Sequence, residues 1–205
     1  MIRAVIFDVG KVLYDWSPRF LYERLIDDDQ TLEAFLRDVV TVEWHFQHDA
    51  GRPFAETSAE LIAQFPEHAA LIAAWGPRFN DSIGAPVAGM HALVAALDAA
   101  GVPLFAITNF SGEFWPPFRA REAALFDRFR DVVVSGDEKM MKPDAAIYRL
   151  ALGRFGLEPD EAVFIDDNRD NVAGAEAVGM AAIHFTDAKA LRRDLKNLGL
   201  PVGSA

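Results

Sequence analysis

The sequence predicts an α/β fold, a doubly wound parallel sheet with a small helical domain inserted after the first strand. Three observations predict it. From about residue 85 onward, short apolar runs alternate with helical periodicity, the pattern of strands joined by crossover helices. The first run, Val5-Ile6-Phe7, is apolar on both faces and belongs inside a parallel sheet. Between residues 16 and 84 only helical spacing occurs. The expected organisation is therefore a core domain over 1–15 and 85–205 and a helical domain over 16–84.

Each element has its own signal. After the first strand, Tyr14-Asp15-Trp16-Ser17-Pro18 reads as a turn, with Ser17 as a helix cap and Pro18 in the first helical position. Phe20, Leu21, Leu25, Leu32, Phe35 and Leu36, then Leu61, Ile62, Phe65, Ile72 and Trp75, recur at helical spacing, with breaks at Asp27-Asp28-Asp29 and Gly51-Arg52-Pro53. Ile83-Gly84-Ala85-Pro86-Val87 reads as the return linker. A helix over 91–100 ends at Gly101. Strands follow at 103–107, 132–134, 162–165 and 181–185, separated by partly helical 112–126 and by helices over 144–155 and 168–178. Gly203-Ser204-Ala205 reads as a loose end.

Composition narrows the function. The 20 Lys+Arg against 31 Asp+Glu give a net charge of −11, which argues against nucleic acid as a partner. A small anionic substrate would need a local lysine or a divalent cation to offset that field. The absence of cysteine excludes disulfides, a thiolate zinc site and a thiol nucleophile. Met1-Ile2-Arg3 runs straight into the first strand, and no apolar segment is long enough to span a bilayer, so a cytoplasmic protein with no membrane partner is expected. Oligomeric state is not legible.

In a parallel sheet the carboxyl ends of the strands share one edge, where ligands bind. Asp8 ends the first strand, Thr108 and Asn109 the second, and Asp166-Asp167-Asn168 another, while Lys142 precedes a helix. Singly, each has an ordinary use as a cap, a loop residue or a solvated charge. Together, Asp8, Asp166 and Asp167 are three carboxylates that would repel unless a hard cation held them, and Mg²⁺ with a phosphorylated small molecule answers that need. Lys142 supplies a point charge for an anionic oxygen, and the Thr108 hydroxyl can donate to another. The set suits phosphoryl transfer through an aspartate nucleophile.

The segments FDVGKVL, ITNFSG, KMMKPDAAIY and FIDDNRDNVAGAEAVGM, in this order, resemble the four motifs of the haloacid dehalogenase-like (HAD) hydrolase superfamily. The helical block is similar to that superfamily's C1-type cap. The closest likeness is to α-D-glucose-1-phosphate phosphatases and the N-terminal phosphatase domain of epoxide hydrolases. The resemblance implies an HAD-like Rossmannoid core and a Mg²⁺-dependent phosphatase, plausible on a sugar phosphate. It makes Asp8 the nucleophile, Gly10 a carbonyl ligand of the metal, Thr108 and Asn109 holders of the phosphoryl oxygens, and Lys142 the neutralising charge. Asp166 and Asp167 hold the metal directly or through water, with Asp167 the direct ligand.

The chain departs from that pattern at Gly10, where the family's common motif has a second aspartate acting as general acid and then base, a role worth about 10²–10⁴-fold. Lys11, Asp15, His45 and His48 are substitutes in principle. Substrate choice is expected in the helical block and nearby loops, with Trp16, Trp44, His45, His48 and Phe110 as contacts, although Trp44 also reads as core. Two further functions fit the same residues: a 2-haloacid dehalogenase using the same Asp8, and a catalytically weak HAD-fold protein that binds a ligand or a protein.

Overall fold

A strand of four buried apolar residues, β1 (Ala4–Phe7), has no face to offer water and takes the centre of a five-stranded parallel sheet. The computed structural model describes residues 1–202, so the tail 203–205 lies outside the described residues. The chain runs from β1 through β2 (Tyr14–Trp16) into five helices: α1 (Pro18–Tyr22), α2 (Asp29–Asp38), α3 (Val42–Asp49), α4 (Phe54–Gln64) and α5 (Ala69–Arg78). It returns along β3 (Ile83–Pro86) to α6 (Met90–Ala99), β4 (Leu104–Thr108), α7 (Trp115–Arg121), α8 (Ala123–Phe126), β5 (Asp131–Val134) and α9 (Ser135–Glu138). Then come α10 (Ala145–Phe155), β6 (Ala162–Asp166), α11 (Arg169–Ala177), β7 (Ala181–His184) and α12 (Ala188–Asn197).

The sheet order is β5-β4-β1-β6-β7. Side chains of β1 alternate between two cores. Val5 and Phe7 face the layer that includes Leu93 and Leu97 of α6 and Leu191 and Leu195 of α12, whereas Ala4 and Ile6 face Ile147, Tyr148 and Ala151 of α10 and Ala175 of α11. The register sets Phe7 beside Ala106 and Ile165, so Asp8 and Asp166 emerge side by side at one edge, with Thr108 one residue further along β4.

Local signals account for most of the boundaries. The Ser17 hydroxyl accepts from Arg19 N and the Asp28 carboxylate from Thr31 N, starting α1 and α2 where the caps and breaks were expected. Two stretches differ from expectation. Tyr14-Asp15-Trp16 is not only a turn and Ile83 to Pro86 not only a linker: they pair antiparallel, Tyr14 opposite Pro86 and Trp16 opposite Ile83. That ribbon is invisible locally because it joins residues about seventy positions apart, and Gly84 and Pro86 are poor strand formers. Helix α12 also goes beyond the sequence reading; its signals are the Asp187 cap and the core-facing Leu191 and Leu195. Among the described residues no helix is long and apolar enough to cross a membrane.

Candidate active site

Beyond Asp8 the chain turns sharply. Leu13 N and Tyr14 N both donate to Val9 O, Lys11 N donates to Tyr14 O at 2.6 Å, and Lys11 takes a left-handed φ of +57°. This turn lets the Asp8 side chain project from the end of β1 while its amide continues the ladder to Ile165 O at 2.8 Å. The Asp8 carboxylate is 8% exposed and meets a buried ammonium: Lys142 Nζ lies 2.7 Å from Asp8 Oδ1 and 2.7 Å from Asp166 Oδ2. Burial pushes the Asp8 carboxyl up; Lys142 opposes that and Asp166 adds to it. Burial also works against the Lys142 ammonium, but the two carboxylates outweigh it and hold its pKa above the ordinary lysine value.

Asp166 is committed on both oxygens. Oδ1 accepts from Asn168 N at 2.8 Å and from Asn171 Nδ2, and Oδ2 accepts from Lys142 and from Asn171 Nδ2. Asp167 is less enclosed, with burial and Asp166 pushing its carboxyl up against Lys11 and Lys142. One oxygen from each of Asp8, Asp166 and Asp167 falls within 4.8 Å of the others. A small octahedral ion with bonds of about 2.1 Å fits such an all-oxygen set, with Asp8 and Asp167 the members whose oxygens are least taken.

A cavity of about 190 Å³ is lined by Asp8, Gly10, Lys11, Asn109, Lys142 and Asp167. Trp16, Phe79 and Phe110 line it as well, and α3 contributes His45, Phe46 and Asp49. The end of α3 is anchored to the sheet edge: Ser135 Oγ donates to Asp49 O at 2.6 Å, and a Cβ at Gly51 would come within 2.7 Å of Gly136 O.

Several expected site residues sit differently from expectation. Asn109 reaches the cavity, but its amide grips the Lys142 backbone, Nδ2 donating to Lys142 O at 3.0 Å and Oδ1 accepting from Lys142 N at 2.9 Å. Thr108 ends β4, 1% exposed, and is not part of the cavity lining. Trp44 is also outside the lining, packed on Trp75 with Nε1 donating to Thr57 O, which is the core reading of that residue. His48 likewise stays within the helices, its Nε2 bonded to Thr57 Oγ1 at 2.6 Å, and burial with help from His45 pulls its pKa down to about 4. Asn171, Asp49, Phe46 and Phe79 were not picked out by sequence. Asn171 lies five residues after Asp166 within the quoted FIDDNRDNV segment, a spacing that already favours contact across a cap.

A doubly wound parallel sheet with a carboxylate–lysine site at its carboxyl edge defines an α/β enzyme core. The chain belongs to the haloacid dehalogenase-like hydrolases, whose family pattern matches residues 2–179. Among its relatives, the sesquiterpene phosphatase astK of Aspergillus oryzae is 28% identical over 202 residues, covering 96% of each chain. The phosphoglycolate phosphatase of Yersinia pseudotuberculosis is 31% identical over 203 residues, 90% of this chain and 81% of that one. In fold the chain is similar to an HAD family enzyme of Bacteroides thetaiotaomicron solved with magnesium and inorganic phosphate, with a TM-score of 0.67 at 18% identity over 92% of this chain and 96% of that one.

Proposed function

We propose that the protein is a Mg²⁺-dependent phosphatase that hydrolyses a small organic phosphate through an aspartyl-phosphate on Asp8. The observation that carries this reading is the Lys142 ammonium held 2.7 Å from both Asp8 and Asp166, at the mouth of which Asp167 completes a three-carboxylate cluster. The phosphatase names of two full-length relatives support it.

In the proposed reaction an Asp8 oxygen attacks phosphorus, the ester bond breaks and the alcohol leaves; water then attacks the same phosphorus and frees Asp8 and inorganic phosphate. Lys142 neutralises Asp8 and an adjacent phosphoryl oxygen, and Asn109 holds the segment that carries Lys142. Asp8, Asp167 and the Gly10 carbonyl would hold the metal, with Asp166, fixed by Asn171, beside them. When bound, Mg²⁺ supplies charge that offsets the carboxylates and the phosphate. Helices α1–α5 act as the cap, and the polar Asp15 beside the aromatic Phe110 in the lining suits a sugar as the leaving group.

Phosphate release from a panel of small phosphate monoesters, with and without Mg²⁺, on wild type, Asp8→Asn and Asp167→Asn tests the proposal. Activity that requires Mg²⁺ and disappears in Asp8→Asn is expected. Turnover that survives chelation or Asp8→Asn overturns the mechanism, and metal-independent halide release from a 2-haloacid replaces it with a dehalogenase.

A further inference from the structure

Position 10, two residues after Asp8 in the cavity lining, holds a glycine and so offers no side chain to give or take a proton. A second pair of titratable groups lines the same cavity. His45 and Asp49, one helical turn apart on α3, are 4% and 2% exposed, and His45 Nε2 lies 3.3 Å from Asp49 Oδ2. The remaining polar atom of each, His45 Nδ1 and Asp49 Oδ1, is buried with no hydrogen-bond partner. Buried polar atoms are rarely left unpaired, and these two fall in one pair of cavity-lining residues, leaving each a free site for a proton or an acceptor. The other buried unpartnered atoms of the described residues, on His48, Trp75, Asn80 and His91, belong to residues that do not line the cavity.

The His45 ring is also held still. It stacks on Trp16 with centroids 4.9 Å apart and planes at 28°, and on Phe79 at 5.7 Å and 14°. Asp49 is fixed through its backbone by Ser135. The competing groups fit the role less well: His48 is spent on Thr57 outside the lining, and the Asp15 carboxylate already accepts from Trp16 N.

We propose that the His45–Asp49 pair is the proton donor and acceptor of the reaction, a role that rests on the phosphatase reading above. In the first step the P–O bond to Asp8 forms, the P–O bond to the alcohol breaks, and the protonated pair gives its proton to the leaving oxygen. In the second, water oxygen bonds phosphorus, the P–O bond to Asp8 breaks, and the pair takes the water proton, returning to its starting state. The sum is ester plus water to alcohol plus inorganic phosphate. The charged groups sharing the cavity with the pair are Asp8, Lys11, Asp15, Lys142 and Asp167, with His48 beside His45 on α3.

The test compares kcat/KM, which reports the transfer to Asp8, for an alkyl phosphate and for p-nitrophenyl phosphate, whose leaving group needs no proton. His45→Gln and Asp49→Asn are expected to lose about 10²–10⁴-fold on the alkyl ester while barely changing on the aryl ester, which also serves as the control for folding. A Cβ at Gly10 meets no atom within 4 Å, so Gly10→Asp in the His45→Gln background is expected to restore part of the alkyl activity. Equal losses on both esters, unchanged alkyl turnover, or no rescue overturn the pair's role and leave the reaction itself standing. Wild-type protein that releases phosphate from neither ester overturns the reaction, and the role with it.

Discussion

Lys142 Nζ is equidistant from Asp8 Oδ1 and Asp166 Oδ2, at 2.7 Å from each, and all three side chains are buried. One ammonium therefore serves two carboxylates, and neither has a second cation among its hydrogen-bond partners. Removing one partner of a buried ion pair leaves the other charge uncompensated, at a cost of about 3–5 kcal/mol. Lys142→Met is expected to lose activity and to unfold at lower denaturant than wild type. Because the metal-binding oxygens remain, added Mg²⁺ should stabilise the variant more than wild type. A variant as stable as wild type without metal would mean that the triad does not hold in solution.

Asn109 offers a choice between two roles. The sequence suggests a phosphoryl contact, whereas its amide bonds the Lys142 backbone at both ends. Asn109→Ala should therefore lower both thermal stability, by about 1–3 kcal/mol, and kcat, since the segment carrying Lys142 loosens. A rise in KM alone, with stability unchanged, would restore the phosphoryl role.

His48 gives the helical layer an acid limit. His48 Nε2 is bonded to Thr57 Oγ1 and Nδ1 is buried without a partner, so an imidazolium there has no acceptor for its Nδ1 proton. Burial lowers the folded pKa from 6.5 to about 4, so the unfolded chain binds the proton first as pH falls. The contribution is complete above pH 6.5 and is lost between 6.5 and about 4, amounting to about 3 kcal/mol at most. Asp8, whose pKa burial raises, acts with the opposite sign in the metal-free protein, stabilising it toward acid. The comparison of wild type with His48→Gln isolates the histidine, because Asp8 is common to both: the wild-type denaturation midpoint minus that of the variant should fall from pH 7 to pH 5, and an unchanged difference would contradict the assignment.

Gly51 joins α3 to the sheet edge. Its φ of +89° and the 2.7 Å between a built Cβ and Gly136 O leave no room for a side chain against a backbone atom. Gly51→Ala is expected to cost about 1–3 kcal/mol and to weaken turnover by loosening the end of α3, which brings His45 and Asp49 to the cavity. Circular dichroism melts and alkyl phosphate turnover check both effects together.

The cluster of Asp8, Lys142, Asp166 and Asp167 was legible in sequence because strand ends in a parallel sheet must share an edge, whatever their separation in the chain. The α3 contacts were legible only in part: His45 was expected at the site, but so were Trp44 and His48, which pack away from it, and Asp49 was not. In Trp44-His45-Phe46-Gln47-His48-Asp49 every position is aromatic, polar or both, so no clean stripe marks the buried side. Two pairs at i,i+4, Trp44 with His48 and His45 with Asp49, lie on adjacent faces of one helix. Only packing against Trp75 and Thr57 on one side, and Trp16 and Phe79 on the other, decides which pair meets the cavity. The β2–β3 ribbon escaped for the related reason that its stability lies in pairing rather than in either segment.

The central claim is that Asp8 carries the phosphoryl group. Acid quenching of wild-type protein during turnover with Mg²⁺, followed by peptide mass spectrometry, tests it most directly. The account predicts one added phosphoryl group on the peptide containing Asp8, absent from Asp8→Asn. Phosphate release with no modified Asp8 peptide, or with the phosphoryl group on another residue, would contradict it.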